Sequence, residues 1–463
     1  MKIESVIAAS RFGLGARPGD YNTIDRNAKS WLVDQLQGPS RVASEIQSLP
    51  DSASVLVEFQ AIIEKRRDLR AESNSPAPDV VEKVGGTLRH HYLQQTEARY
   101  RAACASDHPF HERLVHFWAN HFAVSADKPP LPALAGLYEN EAIRPNIGGS
   151  FADLLIAAES HPAMIVYLDN QRSVGPGSRL GKRAGTRRNN QSVGLNENLA
   201  REILELHTLG VDGGYTQNDV QSLAKIITGW SVGGGRGPLR DGTPGEFTFR
   251  TAIHEPGTQS LLGRQYAQQG LDQGVAVLRD LASHPSTARF IATKLARHFI
   301  ADDPPAAAVD RIASVFLDTN GHLPSVHRAV VDSAEAWQAP LAKFKSPQDY
   351  VISAFRAFDR VPDDARFVVG ALDMMGQTPF RPGSPAGWGD TIDSWGGADA
   401  LYKRIEWADT VGRLAGNRVN PSMLAESLLG PVMDSHTRES IARAESTQQG
   451  LTLFLVAPEF QRR

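Results

Sequence analysis

The chain has a single cysteine among its 463 residues, and this scarcity excludes several kinds of site. Cys104 alone cannot form an intramolecular disulfide framework, nor a Cys-x-x-Cys motif of the kind that binds zinc or attaches haem. Basic residues are not in excess either, because the formal net charge is −3. A general nucleic-acid binder carries a basic excess, so we expect no nucleic-acid partner.

Long apolar runs are missing as well. No stretch approaches the ~20 consecutive apolar residues of a membrane-spanning helix, and we therefore expect no membrane span. The segment 1–11 also lacks the apolar core of a secretory signal, which needs ~7–15 residues, because Glu4 and Arg11 interrupt it. These features predict a cytoplasmic protein, with export alongside a partner as the alternative.

Metal-protease and nucleotide-binding motifs are not matched either. His111 and His116 are five residues apart, so they do not share one helix face as the zinc-protease motif requires. The glycine-rich run 233–237 follows a helical segment rather than a strand, which argues against nucleotide binding.

Helical periodicity dominates the sequence that is present. Apolar residues recur at three- and four-residue spacings in 31–36, 55–69, 80–105, 112–124, 131–143, 151–168, 220–227, 271–283, 287–299, 306–319, 347–358, 365–375 and 398–414. Only 246–251 and 260–263 look like strands, which predicts a small hairpin. The predicted fold is mainly α, a large multi-helix bundle-like domain with a small β-hairpin insertion at 245–266.

We expect one large helical domain over residues 1–463, with lobes 1–170 and 195–463 as its subdivision. A basic, glycine-rich loop, 171–194, would join the two lobes. Its cationic side chains, which no acidic residue accompanies, are Arg172, Arg179, Lys182, Arg183, Arg187 and Arg188. A solvated loop is one interpretation, and a mobile basic lid that attracts an anionic substrate is the other.

The helix predicted over 196–210 carries the densest cluster of polar side chains. At ~3.6 residues per turn, one of its faces is polar and the opposite face is apolar. The polar face carries Glu197, Asn198, Arg201, Glu202 and Glu205. A catalytic site is one interpretation of this face, and a surface ladder of ion pairs between Glu197, Arg201 and Glu205 is the other.

Two carboxylates of this helix could divide acid and base roles between them. Glu202 and Glu205 are three residues apart, so their Cβ atoms are expected ~5–6 Å apart. Carboxylates at that distance raise one another's proton affinity. In this hypothesis Glu202 or Glu205 is a general base or a metal ligand, and Arg201 orients an anionic group of the substrate.

A second helix, predicted over 112–124, contributes Asn120 and His121. His121 lies on an apolar stripe, where it is either a core histidine or a catalytic base or metal ligand. Together with Glu197 and Glu202 it makes a candidate ligand set for a divalent metal ion. The Glu-x-x-His signature of ferritin-like metal sites is absent, so metal-free acid–base chemistry is the alternative.

Further residues are candidates for substrate binding. Asp169 lies at one mouth of the basic loop and Asn198 at the other, so closure of the loop would bring them together. His254 lies in a predicted turn, where exposure favours a functional role. The segment 378–393 is rich in proline and glycine and too long for a simple connector. The following tryptophans are either stacking platforms for a sugar or aromatic ligand or core residues: Trp118, Trp230, Trp388 and Trp395.

Short blocks along the whole chain carry a family resemblance. They read RFGLGARPG at 11–19, HFWANHF at 116–122, NENLAREILELHTLG at 196–210, GYTQ at 214–217, TGW at 228–230, HPSTARFIATKL at 284–295, SPAGW at 384–388 and APEFQRR at 457–463. With these blocks the chain resembles the bacterial domain-of-unknown-function family number eighteen hundred (DUF1800). The resemblance implies a largely helical fold and no particular activity. Members are often encoded beside a second uncharacterised family, number fifteen hundred and one, which resembles phosphatases and sulfatases.

Two functions therefore compete. The first is an enzyme with a polar centre of His121, Arg201, Glu202 and Glu205, with or without a metal ion, that hydrolyses an anionic or saccharide substrate. The second is a non-catalytic helical scaffold or partner subunit, for which the resemblance suggests the phosphatase-like neighbour family as partner. In the second case the polar stripe of 196–210 is a buried ion-pair network or a docking face.

Overall fold

The computed structural model describes residues 1–37, 42–73, 78–185, 194–234, 239, 241–416 and 419–463. Over these residues the chain is mainly α-helical, and its named strands form two small antiparallel sheets. The predicted fold class is thus confirmed. Within the same residues, no helix combines the length and the apolar character needed to cross a membrane.

The helices before the strands are mostly short. They are α1 (Ile3–Ile7), α2 (Tyr21–Ile24), α3 (Ala28–Asp34), α4 (Ser44–Gln47), α5 (Ser52–Ser73), α6 (Pro78–Ala105), α7 (Pro109–His121), α8 (Ala135–Tyr138), α9 (Phe151–Ser160), α10 (Pro162–Tyr167), α11 (Arg179–Gly185), α12 (Asn198–Glu202) and α13 (Gln217–Ile226). Three further segments wind as π-helix: Ala8–Phe12, Glu139–Ile143 and Ile203–His207. Short 3₁₀ turns occupy Leu131–Ala133, Arg144–Asn146 and Asn170–Arg172.

The helices after the strands continue to the end of the sequence. They are α14 (Leu271–Ala282), α15 (Pro285–Phe299), α16 (Ala306–Asp318), α17 (Leu323–Asp332), α18 (Pro347–Ala357), α19 (Ala365–Met374), α20 (Ile392–Trp395), α21 (Ala398–Ala415), α22 (Pro421–Leu429), α23 (Ser435–Ala442), α24 (Thr447–Val456) and α25 (Pro458–Gln461). A 3₁₀ turn covers Ala334–Trp337. α16 packs between α15 and α17, while α18 and α19 both pack on α6.

Local sequence explains where many helices begin. Ser346 caps α18 by accepting a hydrogen bond from the Asp349 backbone N–H, and Thr216 and Asp219 form a capping box at α13. His284 caps α15 in the same way, since its Nδ1 accepts from the Ser286 N–H at 3.1 Å. A proline in the first turn follows this histidine, where its missing N–H costs no helical hydrogen bond.

The predicted strands exist, but they do not pair as one hairpin. Trp230–Val232 (β1) pairs with Phe247–Phe249 (β2), and Gln259–Leu261 (β3) pairs with Arg264–Tyr266 (β4). The β3–β4 turn consists of Leu262 and Gly263, both with positive φ, at 50° and 76°. Two positive φ angles in a two-residue loop favour local hairpin closure, which leaves β2 free to pair with the earlier β1.

The segment 171–194 is not entirely the loop that its composition predicted. Its residues 179–185 form α11, whose Gly181 N–H donates to Ser178 Oγ at 3.0 Å. The backbone of Leu180 also donates to the Ala252 carbonyl at 3.0 Å, so a tertiary contact supports this helix. Arg187 and Arg188, which belong to the predicted basic lid, lie outside the described residues.

A continuous apolar core includes residues from Val6 to Phe460. Aromatic rings from separate elements meet in it, as where Phe12 stacks on Phe299 with ring centroids 5.7 Å apart. The same interior holds fully buried arginines, among them Arg144 and Arg356. Arg356 donates to the backbone carbonyls of Gly15 and Cys104, at 2.6 and 3.0 Å. Buried guanidinium groups thus satisfy carbonyls that helical hydrogen bonds leave free, in the irregular segment at Gly15 and in the last turn of α6 at Cys104.

Replacing Glu112 by Gln should strongly destabilise the fold. Glu112 and the fully buried Arg144 form two hydrogen bonds, at 2.5 and 3.0 Å, and the variant would leave the arginine charge buried without a counter-ion. We expect a loss of about 3–5 kcal/mol in the free energy of unfolding. The matched control is Asp310→Asn in the exposed pair with Arg289, which should cost at most ~1 kcal/mol. Equal losses in denaturant titrations of the two variants would contradict this expectation.

Candidate functional site

A cavity of about 350 Å³ collects polar side chains from distant parts of the chain. Its wall includes residues of α6, α7, α15 and α18, the loop before α20, and the side chain of Arg463. The titratable residues of this wall are Arg99, Arg113, His116, His121, Tyr138, Glu139, Lys294, Arg297, His298, Asp349, Asp390 and Arg463. A cavity of this size can hold a small-molecule ligand.

α15 presents three of these residues on one face. Lys294, Arg297 and His298 are spaced by three and four residues along the helix, and this spacing places side chains on the same side. The adjoining face, with Leu295 and Phe299, is buried in the core. Packing of the apolar face therefore fixes the direction in which the polar trio points.

His298 and Asp390 form a histidine–carboxylate pair at this wall. The Nδ1 of His298 lies 2.7 Å from Asp390 Oδ2, and a carboxylate can only accept, so Nδ1 carries the hydrogen. A longer contact of 3.4 Å joins the same Nδ1 to Arg463; the shorter contact to the carboxylate sets the tautomer. The Nε2 of His298 is then a proton acceptor, and it has no hydrogen-bond partner within the described residues.

The surroundings of this pair keep the histidine neutral and the carboxylate ionised. Burial lowers the pKa of His298 to about 4, although Asp390 opposes the shift, so the ring is neutral at neutral pH. Burial alone would raise the pKa of Asp390, but His298, Arg463 and Lys343 outweigh it and hold that pKa well below its usual range. Asp390 is thus ionised and orients a neutral imidazole, an arrangement that suits a general base.

Two cations of the wall lack a counter-ion contact. No hydrogen bond or ion pair joins Lys294 to another described residue, and its ammonium lies 5.6 Å from the Phe290 ring centroid. Arg297 donates through Nε to the Asp302 carbonyl at 3.2 Å, and no described residue accepts from its Nη atoms. Burial lowers the pKa of Lys294 to about 8; Asp390 opposes this shift and Arg297 adds to it. This part of the cavity therefore favours an anionic group.

The other cavity cations are already neutralised. Arg99 donates to Glu139 at 2.9 Å, and Arg113 donates to Asp349 at 3.0 Å. Arg463 contacts Asp349 at 3.0 Å as well. These pairs hold the wall together, so the positive charge available to a ligand comes from Lys294 and Arg297.

In two further histidines, the hydrogen bonds show which ring nitrogen donates and which accepts. His116 Nδ1 accepts from Gln348 Nε2 at 3.1 Å, so a neutral His116 carries its hydrogen on Nε2. His121 donates through Nε2 to the His207 carbonyl at 3.1 Å, which leaves Nδ1 as an acceptor. Neither the His116 Nε2 nor the His121 Nδ1 has a hydrogen-bond partner in the described part of the chain. The cavity wall thus combines a donor nitrogen with two acceptor nitrogens.

Three of the residues predicted from the sequence line this cavity, namely Asn120, His121 and Trp388. The Asn120 amide accepts from the Trp388 N–H at 2.7 Å and donates to the Trp388 carbonyl at 3.0 Å. These two hydrogen bonds hold the loop of Trp388 and Asp390 against α7, to which Asn120 belongs. Its role in the structure is to position that loop.

The polar face of 196–210 lies elsewhere. Arg201 contacts Glu197 and Glu205, each at 3.3 Å, and all three side chains are partly exposed. These contacts form the surface ladder of ion pairs that the sequence offered as the alternative to a catalytic site on this face. Asn198 is exposed, while Glu202 is half-buried and its pKa is raised by burial. None of these five side chains is part of the cavity wall.

The remaining predicted residues are also apart from the cavity. Trp118 is fully buried and donates to His327 Nε2 at 3.0 Å, and Trp230 is fully buried in β1. Asp169 pairs with Lys128 at 2.8 Å. His254 contacts the Thr228 carbonyl through Nδ1 at 2.8 Å. Of these four residues, Trp118 contacts His121, with ring centroids 5.4 Å apart, but it does so from within the core.

The hypothesised metal ligands do not converge in the described residues. Glu197 points into the ion-pair ladder, whereas His121 is buried beside His207. Within the residues that the structure describes, no group of three or more His, Cys, Asp or Glu side chains is arranged to hold a metal ion.

Sequence reasoning missed Lys294, His298 and Asp390. The spacing of Lys294 and His298 on an amphipathic helix was a usable signal, because such a pair shares one face. It also missed the fully buried contact between His207 Nδ1 and Glu159 Oε1, 2.7 Å apart. His207 lies midway along the apolar arc of its helix, which is an unusual place for a histidine. No local pattern could link Asp390 to His298 across 92 residues.

Comparison with known proteins gives one match. A family model described as a protein of unknown function, DUF1800, matches residues 7–462. No curated protein and no solved structure matches the chain.

Replacing His298 by Asn should make the fold less sensitive to acid. An unperturbed histidine has a pKa near 6.5, but burial holds that of His298 at about 4. Between these pH values the unfolded chain binds a proton that the folded protein does not, so the free energy of unfolding falls as the pH falls. The variant lacks this contribution, and its free energy of unfolding should fall less over the same interval.

Denaturant unfolding across that interval measures the effect. His436→Asn, at an exposed histidine of α23, is the control and should keep the wild-type slope. Identical slopes for wild type and His298→Asn would show that His298 is not held neutral by the fold.

Proposed function

The chain belongs to the DUF1800 family of proteins of unknown function, and we propose that it is an enzyme that moves protons on a small anionic substrate bound in the 350 Å³ cavity. One observation carries the proposal. A carboxylate-oriented histidine with a free Nε2 shares the wall of a cavity with two cations that have no counter-ion contact among the described residues.

In this proposal His298 is the general base. Its Nε2 accepts a proton from the substrate or from a water molecule, and Asp390 stabilises the imidazolium that results. A water molecule activated in this way would attack an anionic ester, which makes the enzyme a hydrolase. The Nε2–H of His116 is the available donor for charge that develops on an oxygen atom of the substrate.

Arg297 and Lys294 bind the anionic group. Arg297 offers a planar guanidinium group to the anion, and burial lowers the pKa of Lys294 to about 8. Trp388 adds an aromatic surface to the same wall, on which a sugar or aryl ring of the substrate could stack. An anionic ester or an anionic saccharide derivative fits these features.

Anion binding is the first test. Sulfate, phosphate and small carboxylates should raise the melting temperature of the wild-type protein, because they bind the folded state alone. Arg297→Ala should abolish this rise. Arg289→Ala is the matched control, since Arg289 lies on the same helix but pairs with Asp310 at the surface. A rise that persists in Arg297→Ala, or is absent in the wild type, would refute the anion site.

Turnover is the second test. With a panel of anionic esters and acidic glycosides, His298→Asn should lower kcat by roughly 10²–10⁴-fold, as expected for the loss of a general base. Glu202→Gln should retain wild-type turnover, because Glu202 lies outside the cavity wall. The opposite pattern would place the chemistry on the polar face of 196–210, where Glu202 was the sequence-based candidate.

The non-catalytic alternative rests on a different surface. Leu401, Tyr402 and Ile405 are exposed apolar residues on one side of α21, and such clusters occur at protein interfaces. A scaffold that uses this surface would bind its partner equally well with or without His298. Partner binding that His298→Asn leaves intact, with no turnover in any variant, would favour the scaffold.

A further inference from the structure

The amine of Lys294 lacks the polar partners that the amines of Lys343 and Lys345 have. Lys343 contacts Asp302 and Asp390, and Lys345 donates to Ser353 Oγ at 3.0 Å. Lys294 has no such partner among the described residues, and it borders the cavity. Its neighbours there are a guanidinium group, Arg297, and a proton acceptor, His298, on the same face of α15.

We propose that Lys294 forms an imine with a small carbonyl acid whose carboxylate is bound by Arg297. The inference rests on the proposed function in that it uses the same cavity and the same base. It goes further in naming the substrate class, a 2-oxo acid or an aldehyde acid, and in assigning Lys294 as the nucleophile.

The spacing on α15 supports this pairing of groups. Arg297 is three residues from Lys294, so a carboxylate bound to the guanidinium holds its adjacent carbonyl carbon close to the lysine amine. His298 is four residues from Lys294 and can take the proton that the amine releases. Burial, which lowers the pKa of Lys294 to about 8, leaves a larger fraction of neutral amine at physiological pH than an ordinary lysine has.

The atoms balance within the cavity. The neutral Nζ of Lys294 attacks the carbonyl carbon, a C–N bond forms, and the carbonyl π electrons move to oxygen. The nitrogen loses one proton to His298 Nε2, and the histidine passes this proton to the oxygen, which becomes a hydroxyl group. The nitrogen then loses its second proton to His298 Nε2, the same histidine donates it to the hydroxyl group, and the C–O bond breaks as the C=N bond forms. The products are the imine and one water molecule, so no oxidant or reductant is required.

Reductive trapping tests the imine directly. The folded wild-type protein is incubated with glyoxylate and cyanoborohydride, which reduces an imine to a stable secondary amine, and labelled lysines are located by peptide mass spectrometry. Lys294 should be labelled roughly 10²-fold faster than an ordinary exposed lysine, in proportion to its larger fraction of neutral amine. Lys294→Arg should lose this fast label, while Lys29→Arg, at an exposed lysine, should keep it.

Lys345 is an internal comparison. Burial lowers the pKa of Lys345 to about 7, yet its amine is hydrogen-bonded to Ser353 and it is not part of the cavity wall. Labelling that follows the cavity will mark Lys294, whereas labelling that follows pKa alone will mark Lys345. Preferential labelling of Lys345, or even labelling of all lysines, would overturn the proposal.

A second pair of reagents tests the role of Arg297. Acetaldehyde has a carbonyl group but no carboxylate, so Arg297→Ala should slow labelling of Lys294 by glyoxylate more strongly than labelling by acetaldehyde, which is affected only through the pKa of Lys294. Arg289→Ala should affect neither reagent. An equal effect of Arg297→Ala on both reagents would overturn the assignment of a carbonyl acid.

The outcome also separates this inference from the proposed function. An unlabelled Lys294 together with an inactive His298→Asn variant would refute the imine and leave the proton-transfer enzyme intact. A labelled Lys294 together with full turnover in His298→Asn would support the imine and refute His298 as the base.

Discussion

Asp349 forms ion pairs with two buried guanidinium groups from distant parts of the sequence, Arg113 and Arg463, each at 3.0 Å. Removing the carboxylate would leave both charges in the interior without compensation, which proteins tolerate poorly. Arg463 also contacts Asp390 at 3.1 Å, and Asp390 holds His298. The orientation of the candidate base thus depends on the same charges that join α7, α18 and the end of the described chain. Fold stability and site geometry are coupled through this network.

Buried arginines explain a part of the sequence that periodicity leaves unexplained. The block at 11–19 is too rich in glycine to be an ordinary helix, yet its residues 11–16 are buried. Arg113 donates to the Gly13 carbonyl and Arg356 to the Gly15 carbonyl, both at 2.6 Å. Gly15 has a φ of 96°, and a Cβ atom there would lie 2.8 Å from Ser353. Irregular backbone can be buried here because side chains of other helices satisfy its carbonyls.

The sequence predicted the helices well because apolar spacing is a local property. It could not predict the partner of β2, since β1 is only three residues long and its pairing depends on distant backbone. The cavity was predicted in part, through Asn120, His121 and Trp388. The polar face of 196–210 attracted attention by its density of charge, but density of charge is equally a property of exposed ion pairs. In a ligand-binding site a charged side chain lacks a counter-ion within the protein, whereas in a ladder of ion pairs each charge has one. Only the three-dimensional structure shows whether a counter-ion is present.

The cations around the cavity fall into two groups, those paired with a carboxylate and those without such a partner. Arg113 and Arg463 are fully buried and form ion pairs with a carboxylate, so the protein itself neutralises their charges. Lys294 and Arg297 border the same space without such a contact among the described residues. A partly buried charge without a counter-ion raises the free energy of the folded protein, and an anionic ligand beside Lys294 and Arg297 would lower it. This energetic argument is the physical basis of the anion site that we propose, whichever reaction follows.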